Sequence, residues 1–505
     1  MSVAERARLR PVLYPAGILA AFVLSLLVRT GVSPYAAGRP LFIAVALGLS
    51  LPWLIGLVFG DRDRAGVVAF VVVLLILPGP VRDASILLAG ILGLLLAGVL
   101  GLLLVDGWAR RRRPSRIRWR LITRAMSAIT AVILVAIAIA AVQNGRITQI
   151  PRDLVAEAPV GREAPVARAQ TVEAPSVYLV LLDGYPRADK LQDEFGFDNR
   201  PFLESLRQRD FVVAQHSRSN YLSTDLTLAD MLNGGIHRDP GESTVDTHSL
   251  INDGEILGEF RDRGYEVIAF SSGFEGVALR RADRFIDSGQ LNEFEWVLLQ
   301  ISGLAPVLDW LHPTLGADQH RARILATLDS ATTLARETPD RPRFVLAHIL
   351  GPHSPQVLGP SGEAVEVRGI KVPFDDSDEY QLLGPDEYSR RLGGQITYLN
   401  GRVLGFVDAL VEADPLAVVV VFSDHGSGIR EYQDAGGTSD TDLRTANLLA
   451  VRSPGQAGLI DDRSTLVNIL PRILRAYTGS GPADVPETIY GQTTDKQLVV
   501  FERPD

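Results

Sequence analysis

Long apolar runs in the first third of the chain constrain its fold more than any other feature. Each approaches the ~20 residues that a helix needs to cross ~30 Å of hydrocarbon. They lack the polar face of a soluble bundle helix, and no small-residue cleavage site follows the first, as it would in a signal peptide. The sequence therefore predicts a transmembrane domain over residues 1–143, with five spans at about 12–29, 41–60, 66–81, 85–105 and 122–142.

Charge divides the chain at the same place. Residues 1–144 contain 16 Arg, no Lys and a net charge of +11, whereas residues 145–505 carry −20 and all eight His. The acidity of the second part argues against nucleic acid as a partner. The chain has no Cys, which excludes disulfides, thiolate nucleophiles and Cys-ligated zinc.

Arginine placement predicts the orientation in the membrane. Three Arg precede the first run, Arg62 and Arg64 follow the second, and eight Arg between residues 110 and 124 follow the fourth. The positive-inside rule places these segments in the cytoplasm. We therefore expect a multi-pass protein of the bacterial plasma membrane, with its N-terminus in the cytoplasm and the part after the last span outside. Residues 144–174, rich in Pro, Ala and charge, read as a linker, and residues 175–505 as an outer domain.

The outer domain alternates predicted strands with predicted helices. Helical spacing covers 200–210, a segment from about 224, 388–413 and 464–479. Such alternation predicts an α/β domain with a mostly parallel sheet, whose sites lie beyond the carboxyl ends of the strands. Short apolar strands are expected at 176–184, 265–272, 343–350, 416–424 and 446–453.

Acidic and imidazole side chains follow two of these strands. Asp183 ends the first strand, and "VVVVFSDHGSG" carries a buried strand directly into Asp424 and His425. Carboxylate and imidazole groups are suitable ligands for a divalent metal. A strand-end Asp is also common as a turn residue or helix cap, so each residue alone is weak evidence. On neighbouring strand ends, the three residues together indicate a metal site.

A candidate nucleophile lies in "SRSNYLSTDLTLADMLNG", residues 217–234, which becomes helical at about Thr224. A hydroxyl at this point feels the positive end of a helix, where backbone N–H groups also suit a phosphate. A neighbouring metal would lower the pKa of the hydroxyl and make an alkoxide accessible. The alternative is that Thr224, or Ser223, is an N-cap residue.

Four segments together resemble the alkaline phosphatase superfamily over most of residues 175–480. They are "LVLLDGYPRAD", "SRSNYLSTDLTLADMLN", "LAHILGPHSP" and "VVVVFSDHGSG". The most similar branch is that of the sulfatase-like bacterial membrane transferases, which include lipoteichoic acid synthase and phosphoethanolamine transferases. The resemblance implies an alkaline-phosphatase-like α/β domain. It also implies one catalytic Mn²⁺ or Zn²⁺, with Mg²⁺ as a further candidate, held by Asp183, Thr224, Asp424 and His425, and Thr224 as the nucleophile.

Further site residues are also suggested by the resemblance. In "GPHSP", His353 matches an element that contacts substrate, which makes it a candidate substrate ligand or general acid. His348 is either a second substrate contact or a core histidine. Arg218 and Asn220 are candidates for binding phosphoryl oxygens, or else solvated loop residues.

The chain departs from the family pattern in three respects. Lipoteichoic acid synthases have Glu where this chain has Asp183. The resemblance is therefore weaker evidence that this chain has the same substrate as those enzymes. There is no convincing "DxxxH" element for a second metal, so one metal is expected. The segment "YLSTDLT" lacks the Pro and Arg of the "[CS]-x-P-x-R" motif that sulfatases convert to formylglycine. Hydrolysis of sulfate esters is therefore not expected.

The sequence thus favours transfer of a phospho-headgroup, phosphoglycerol or phosphoethanolamine, from a membrane phospholipid. The acceptor would be a cell-envelope glycan or lipid, and the intermediate a phosphothreonine. Two alternatives remain open. The same site could act as a phosphodiesterase or phosphatase with water as acceptor, or the fold could serve as a non-catalytic membrane scaffold.

Overall fold

The chain forms two compact units. The computed structural model describes residues 12–30, 34–59, 62–76, 119–143, 174–235, 246–287, 289–369, 375–430, 441–492 and 498–501. The first unit, called here the helical unit, comprises residues 1–161 and 292–312. The second, called the α/β unit, comprises residues 162–291 and 313–505.

Apolar helices make up the described N-terminal part of the helical unit. Two segments, Pro34–Leu57 and Trp119–Ala141, are long and apolar enough to cross a membrane, and Tyr14–Arg29 is a shorter apolar helix. A 3₁₀ turn at Pro34–Ala37 leads directly into the second helix. The helices are α1 (Tyr14–Thr30), α2 (Gly38–Phe59), α3 (Arg62–Ile76) and α4 (Trp119–Gln143).

The number of spans is therefore supported only in part. Three of the predicted runs fall in α1, α2 and α4, and α3 covers much of the third run. Among the described residues, two helices have the length and composition of a membrane span. The predicted span 85–105, the Arg-rich loop before residue 119 and the linker before residue 174 lie outside the described residues.

A seven-stranded sheet forms the centre of the α/β unit, in the order β2-β7-β6-β1-β5-β3-β4. Its strands are β1 (Val177–Leu182), β2 (Phe211–Val213), β3 (Glu266–Phe270), β4 (Arg284–Ile286), β5 (Arg343–Ile349), β6 (Val418–Phe422) and β7 (Leu449–Arg452). A separate two-stranded antiparallel sheet pairs β8 (Tyr490–Gln492) with β9 (Leu498–Val500).

Most strand pairs in this sheet are parallel, which confirms the predicted α/β class of this unit. β1 pairs in parallel with β5 on one side and β6 on the other, and β3 pairs in parallel with β5 and β4. β7, the predicted strand at 446–453, instead runs antiparallel to both β6 and β2. An apolar run reads the same in either direction, so its sequence carries no sign of this reversal.

Helices pack on both faces of the sheet. The first are α5 (Ala188–Phe195), α6 (Arg200–Arg207), α7 (Thr224–Asn233), α8 (Thr247–Asn252) and α9 (Glu255–Asp262). After β4 the chain forms α10 (Glu293–Ile301) and α11 (Ala305–Leu311), which belong to the helical unit. The remaining ones are α12 (Leu315–Ala335), α13 (Asp376–Leu383), α14 (Pro385–Ala413), α15 (Thr441–Thr445) and α16 (Ile469–Thr478).

Alternation along β1 divides the hydrophobic core into two layers. Tyr178, Val180 and Leu182 belong to a cluster with residues of α6, α12 and α14. Leu179 and Leu181 belong to a second cluster with residues of α7, α9 and α16. Because side chains alternate between the faces of a strand, a central strand that is covered on both faces must be apolar throughout. This explains the continuous run that leads to Asp183.

Substitution of the central strand should destabilise the α/β unit. Leu181 is fully buried, so Leu181→Ala removes apolar contacts and leaves a cavity, at a cost of about 2–5 kcal/mol. Val212, on the edge strand β2, is 48% exposed, and Val212→Ala should change the unfolding free energy by less than about 1 kcal/mol. Pulse proteolysis of the full-length protein in urea measures both. Equal midpoints for the two variants would contradict the placement of Leu181 in the core.

Candidate metal centre

Two neighbouring parallel strands bring the candidate ligands together. Asp183 follows β1 directly, and Asp424 and His425 follow β6 after one Ser. Leu181 in β1 is in register with Phe422 in β6. The carboxyl ends of the two strands therefore meet at one edge of the sheet, and the residues beyond them lie side by side. All three candidate ligands are at most 1% exposed.

One atom from each ligand faces a common point. Nε2 of His425 lies 3.3 Å from Oδ2 of Asp424 and 3.8 Å from Oδ1 of Asp183. Ligand atoms from the three residues lie within 4.8 Å of one another. Ligands ~2.1 Å from one ion in tetrahedral arrangement are ~3.4 Å apart. The spacing is therefore suitable for a single divalent ion.

The two carboxylate oxygens also need a partner that the described protein atoms do not supply. Oδ1 of Asp183 and Oδ2 of Asp424 are buried, and neither accepts a hydrogen bond from the described residues. Burying an ionised carboxylate oxygen without a partner is costly. A bound cation would satisfy both oxygens at once, so the residues present fit a metal ion.

The remaining polar atoms of the three ligands are held by hydrogen bonds. Nε2 of His348 lies 2.8 Å from Oδ2 of Asp183, and the backbone N–H of Gly184 donates to Oδ1 of Asp424 at 3.1 Å. Nδ1 of His425 lies 2.9 Å from the carbonyl oxygen of Gly426. A carbonyl only accepts, so the proton is on Nδ1, and the lone pair on Nε2 is available to a metal.

Electrostatics favour the protonation states that bind a metal. Burial opposes ionisation of Asp183, but the hydrogen bond from His348 and the charge of His353 hold the pKa of this carboxyl well below its usual range. Burial lowers the pKa of His425, and Arg444 acts in the same direction, while Asp424 opposes them. Ionised carboxylates and a neutral imidazole are the forms that ligate metal ions.

Only glycine fits after His425. A Cβ atom on Gly426 would lie 2.4 Å from the carbonyl oxygen of Leu443 and 2.5 Å from that of Ala446. The N–H of Gly426 also donates to the carbonyl oxygen of Arg444 at 2.6 Å. The Gly in "SDHG" therefore allows the chain after β6 to pass close to α15 and the residue that follows it, and this contact fixes the backbone that carries His425.

The helix that carries the candidate nucleophile begins beside Asp424. Thr224 is the first residue of α7 and is 7% exposed. The hydroxyl of Thr227, three residues further along the helix, donates to the carbonyl oxygen of Asp424 at 3.1 Å. Ser223 occupies the N-cap position, but its hydroxyl donates to Asp225 at 2.7 Å. Within the described residues, the N-cap alternative thus has no side-chain hydrogen bond to support it.

His353 lies near the same group of residues. Its backbone N–H donates to the carbonyl oxygen of Asp183 at 3.0 Å, and its ring centroid is 6.3 Å from that of His425. The ring is half-buried, and its Nδ1 lies 2.9 Å from the carbonyl oxygen of Ser354. Burial lowers the pKa of His353, but the charges of Asp376 and Asp183 outweigh it, so the pKa is raised.

The other predicted substrate contacts have different surroundings. His348 lies behind Asp183 and orients its carboxylate. Oδ1 of Asn220 accepts hydrogen bonds from the backbone N–H groups of Leu466 and Val467, each at 3.1 Å. The guanidinium of Arg218 donates to the hydroxyl of Thr445 at 2.8 Å and pairs with Asp442. These contacts give Arg218 and Asn220 a role in joining loops and lend no support to their predicted contact with substrate.

Two polar residues near the site were missed by the sequence analysis. The hydroxyl of Ser423 donates to the carbonyl oxygen of His425 at 2.6 Å. Asp376 accepts hydrogen bonds from the hydroxyl of Ser354 at 2.8 Å and from the N–H of Gly428 at 3.0 Å. It therefore links the loop that carries His353 to the loop that carries His425. Ser423 could have been noticed as the neighbour of Asp424, whereas Asp376 is distant in sequence from every motif.

Comparison with known proteins shows the family. The family described as Sulfatase matches residues 175–480, which is more than half of the chain. The chain therefore belongs to the sulfatase family, and the predicted resemblance is confirmed. None of the curated protein sequences is significantly similar to the chain.

The solved structures to which the chain is similar share little of its sequence. The C-terminal periplasmic domain of EcEptC from Escherichia coli is 14% identical, with a TM-score of 0.42 over 65% of this chain and 93% of that one. The soluble domain of lipooligosaccharide phosphoethanolamine transferase A from Neisseria meningitidis is 15% identical, with a TM-score of 0.41 over 66% and 92%. The integral membrane form of that protein is 14% identical, with a TM-score of 0.39 over 98% and 97%.

Replacing either carboxylate should abolish metal binding without unfolding the chain. We expect about one Mn²⁺ or Zn²⁺ ion per full-length chain after metal loading and desalting, measured by inductively coupled plasma mass spectrometry. Asp183→Asn and Asp424→Asn each remove a charged ligand oxygen, so affinity should fall by more than about 100-fold. Asp462→Asn is the matched control, because Asp462 is half exposed and pairs with His216. Equal metal content in all four proteins would show that the ion binds elsewhere.

Proposed function

We propose that this sulfatase-family protein transfers a phospho-headgroup, phosphoglycerol or phosphoethanolamine, from a membrane phospholipid to a cell-envelope glycan or lipid. The observation that carries the proposal is the convergence of two partnerless carboxylate oxygens and Nε2 of His425. The helix that begins with Thr224 is hydrogen-bonded to this group through Thr227. A metal site beside a hydroxyl at a helix N-terminus suits covalent phosphoryl transfer.

A single divalent ion, Mn²⁺ or Zn²⁺, with Mg²⁺ a further candidate, would be held by Asp183, Asp424 and His425, with the Thr224 hydroxyl as a fourth ligand. When bound, such an ion lowers the pKa of a coordinated hydroxyl and stabilises the negative charge that develops on phosphoryl oxygens. His348 and Gly184 keep the two carboxylates oriented. Thr227 keeps the first turn of α7 in place.

In the first step, Oγ1 of Thr224 forms a bond to the phosphorus of the lipid headgroup. The bond between that phosphorus and the oxygen of diacylglycerol breaks, and this oxygen takes up a proton as diacylglycerol leaves. We assign His353 as the donor of this proton. The Thr224 hydroxyl loses its own proton to solvent, and a phosphothreonine diester remains.

In the second step, a hydroxyl of the acceptor attacks the same phosphorus. The acceptor loses its proton, the bond to Oγ1 of Thr224 breaks, and Oγ1 takes up a proton from solvent. His353, deprotonated by the first step, can take up the acceptor proton by microscopic reversibility. The headgroup is then attached to the acceptor, and the protein returns to its initial state.

The first third of the chain supports a lipid donor rather than a soluble one. Two of its helices have the length and composition of membrane spans, and its Arg residues predict a cytoplasmic N-terminus with the α/β unit outside a bacterial plasma membrane. Tethering holds a site at high effective concentration near lipid headgroups. The chain also lacks a Cys and has Thr224 at the position of the nucleophile, so sulfate-ester hydrolysis is not the proposed reaction.

Thr224 should carry the covalent intermediate. We expect peptide mass spectrometry of the full-length protein, incubated with Mn²⁺ and mixed bacterial phospholipids, to find an adduct on Thr224. The mass of the adduct distinguishes phosphoglycerol from phosphoethanolamine. Thr224→Ala should abolish the adduct and lower the transfer rate by at least about 10³-fold, since the nucleophile is lost.

Ser223→Ala is the matched control for this experiment. It removes the neighbouring hydroxyl, which bonds Asp225, and should leave both adduct and rate close to wild type. Full transfer by Thr224→Ala would exclude the mechanism. Release of the headgroup to water, even in the presence of envelope acceptors, would instead identify a hydrolase.

His353 should matter only where the leaving group needs a proton. For a phospholipid donor, His353→Ala should lower the rate of diacylglycerol release by about 10²-fold or more, the usual contribution of general acid catalysis. With a p-nitrophenyl phosphodiester, whose leaving group departs without a proton, the loss should be much smaller. His216→Ala is the control, because the His216 side chain is exposed and pairs with Asp462. Equal losses with both donors would assign His353 to binding alone.

A further inference from the structure

Residues 292–312, called here the inserted helix pair, lie in sequence between strand β4 and helix α12 of the α/β unit. Their contacts nevertheless group them with the helical unit. The pair consists of α10 and α11, which are joined by a short turn. The sequence predicts that these residues belong to the outer domain, residues 175–505. A segment of that domain is thus part of the unit that holds the apolar spans.

Helix α10 is fixed to the turn between α1 and α2. The guanidinium of Arg39, near the start of α2, donates to both carboxylate oxygens of Glu295 at 2.7 and 2.5 Å. Glu295 is buried, and a bidentate pair of this kind fixes orientation as well as distance. The side-chain amide of Asn292 donates to the carbonyl oxygen of Ala36 at 3.3 Å. Phe294 belongs to the same apolar cluster as Ala36.

The turn that holds α10 marks one end of the first two apolar helices. Arg29 closes α1 and Arg39 follows the first residue of α2, so a charged residue flanks each helix at this end. Charged side chains at the ends of spans lie at the boundary between hydrocarbon and water. The Arg bias of the chain places this turn on the non-cytoplasmic side. The inserted helix pair is therefore attached at the level of the non-cytoplasmic surface of the plasma membrane.

Helix α11, which follows α10 after three residues, presents an exposed apolar face. Leu304, Val307 and Leu311 recur at spacings of three and four residues, which places them on one side of the helix. Trp310 is 81% exposed and Leu311 65% exposed, and Val307 and Leu304 are also exposed. Side chains this large and apolar are costly to leave in water. At ~1.5 Å per residue, seven residues reach only ~10 Å, so α11 cannot span a bilayer.

We infer that α11 binds the outer surface of the lipid bilayer, with Leu304, Val307, Trp310 and Leu311 in the boundary between headgroups and acyl chains. The occupant is a lipid surface because the neighbouring α10 is anchored at the end of two apolar helices. A Trp beside aliphatic residues is also the composition that this boundary favours. The inference rests on the proposed membrane location of the helical unit. Helix α11 would thus contact the bilayer in addition to the spanning helices, although its sequence lies between elements of the α/β unit.

Tryptophan fluorescence in vesicles tests this contact without any assay of activity. The full-length protein and Trp310→Phe are reconstituted into vesicles of phosphatidylethanolamine and phosphatidylglycerol. The difference between their emission isolates Trp310, and removal of an exposed ring should not disturb the fold. We expect lipids brominated near the headgroup to quench this difference more strongly than aqueous iodide does. Stronger quenching by iodide overturns the inference. Absence of quenching by either also overturns it and would indicate a protein partner or a second copy on this face.

Trp53→Phe provides the matched reference. Trp53 is exposed within the spanning segment Pro34–Leu57, so its emission should be quenched by lipids brominated deep in the acyl chains. Quenching of Trp53 without quenching of Trp310 rejects the inference and retains the membrane location. If neither is quenched by brominated lipid, the membrane location in the proposed function fails as well.

Discussion

Burial of two carboxylates beyond the ends of two neighbouring parallel strands is the constraint on which the candidate site of the α/β unit depends. β1 and β6 must be neighbours and parallel for Asp183 and Asp424 to meet. Two like charges in a buried site repel each other and oppose folding unless a cation or donors compensate. The hydrogen bonds from His348 and Gly184 satisfy one oxygen of each. The other two oxygens accept no hydrogen bond from the described residues, so a bound cation would stabilise them.

The loops around this edge are tied to one another more than to solvent. Asp376 connects the segments that carry His353 and His425, and Thr227 connects helix α7 to Asp424. Each of these bonds joins parts of the chain that are far apart in sequence. The same hydrogen bonds therefore hold the candidate nucleophile helix, the proposed acid and the candidate ligands in one arrangement.

Much of the fold and the core of the candidate site could be predicted from sequence, because apolar strands and the residues that follow them are local patterns. The strands that end at Asp183 and Asp424 are examples. The direction of β7 could not, since parallel and antiparallel strands have the same apolar run. The contacts of Asn220 and the attachment of Glu295 to Arg39 depend on residues hundreds of positions away. No local sequence pattern shows which polar side chains will be hydrogen-bonded to such distant residues.

The hydrogen bond from Nδ1 of His425 to Gly426 has a kinetic consequence. It selects one tautomer and one ring orientation of His425 before any ion arrives. The hydrogen bonds to Asp183 and Asp424 fix the orientation of the two carboxylates in the same way. Little conformational freedom is then left to lose on binding. Capture of the ion would be governed by the rate at which the ion sheds its own water. Slowly dehydrating ions such as Mg²⁺ would therefore enter such a rigid site more slowly than ions that exchange water rapidly.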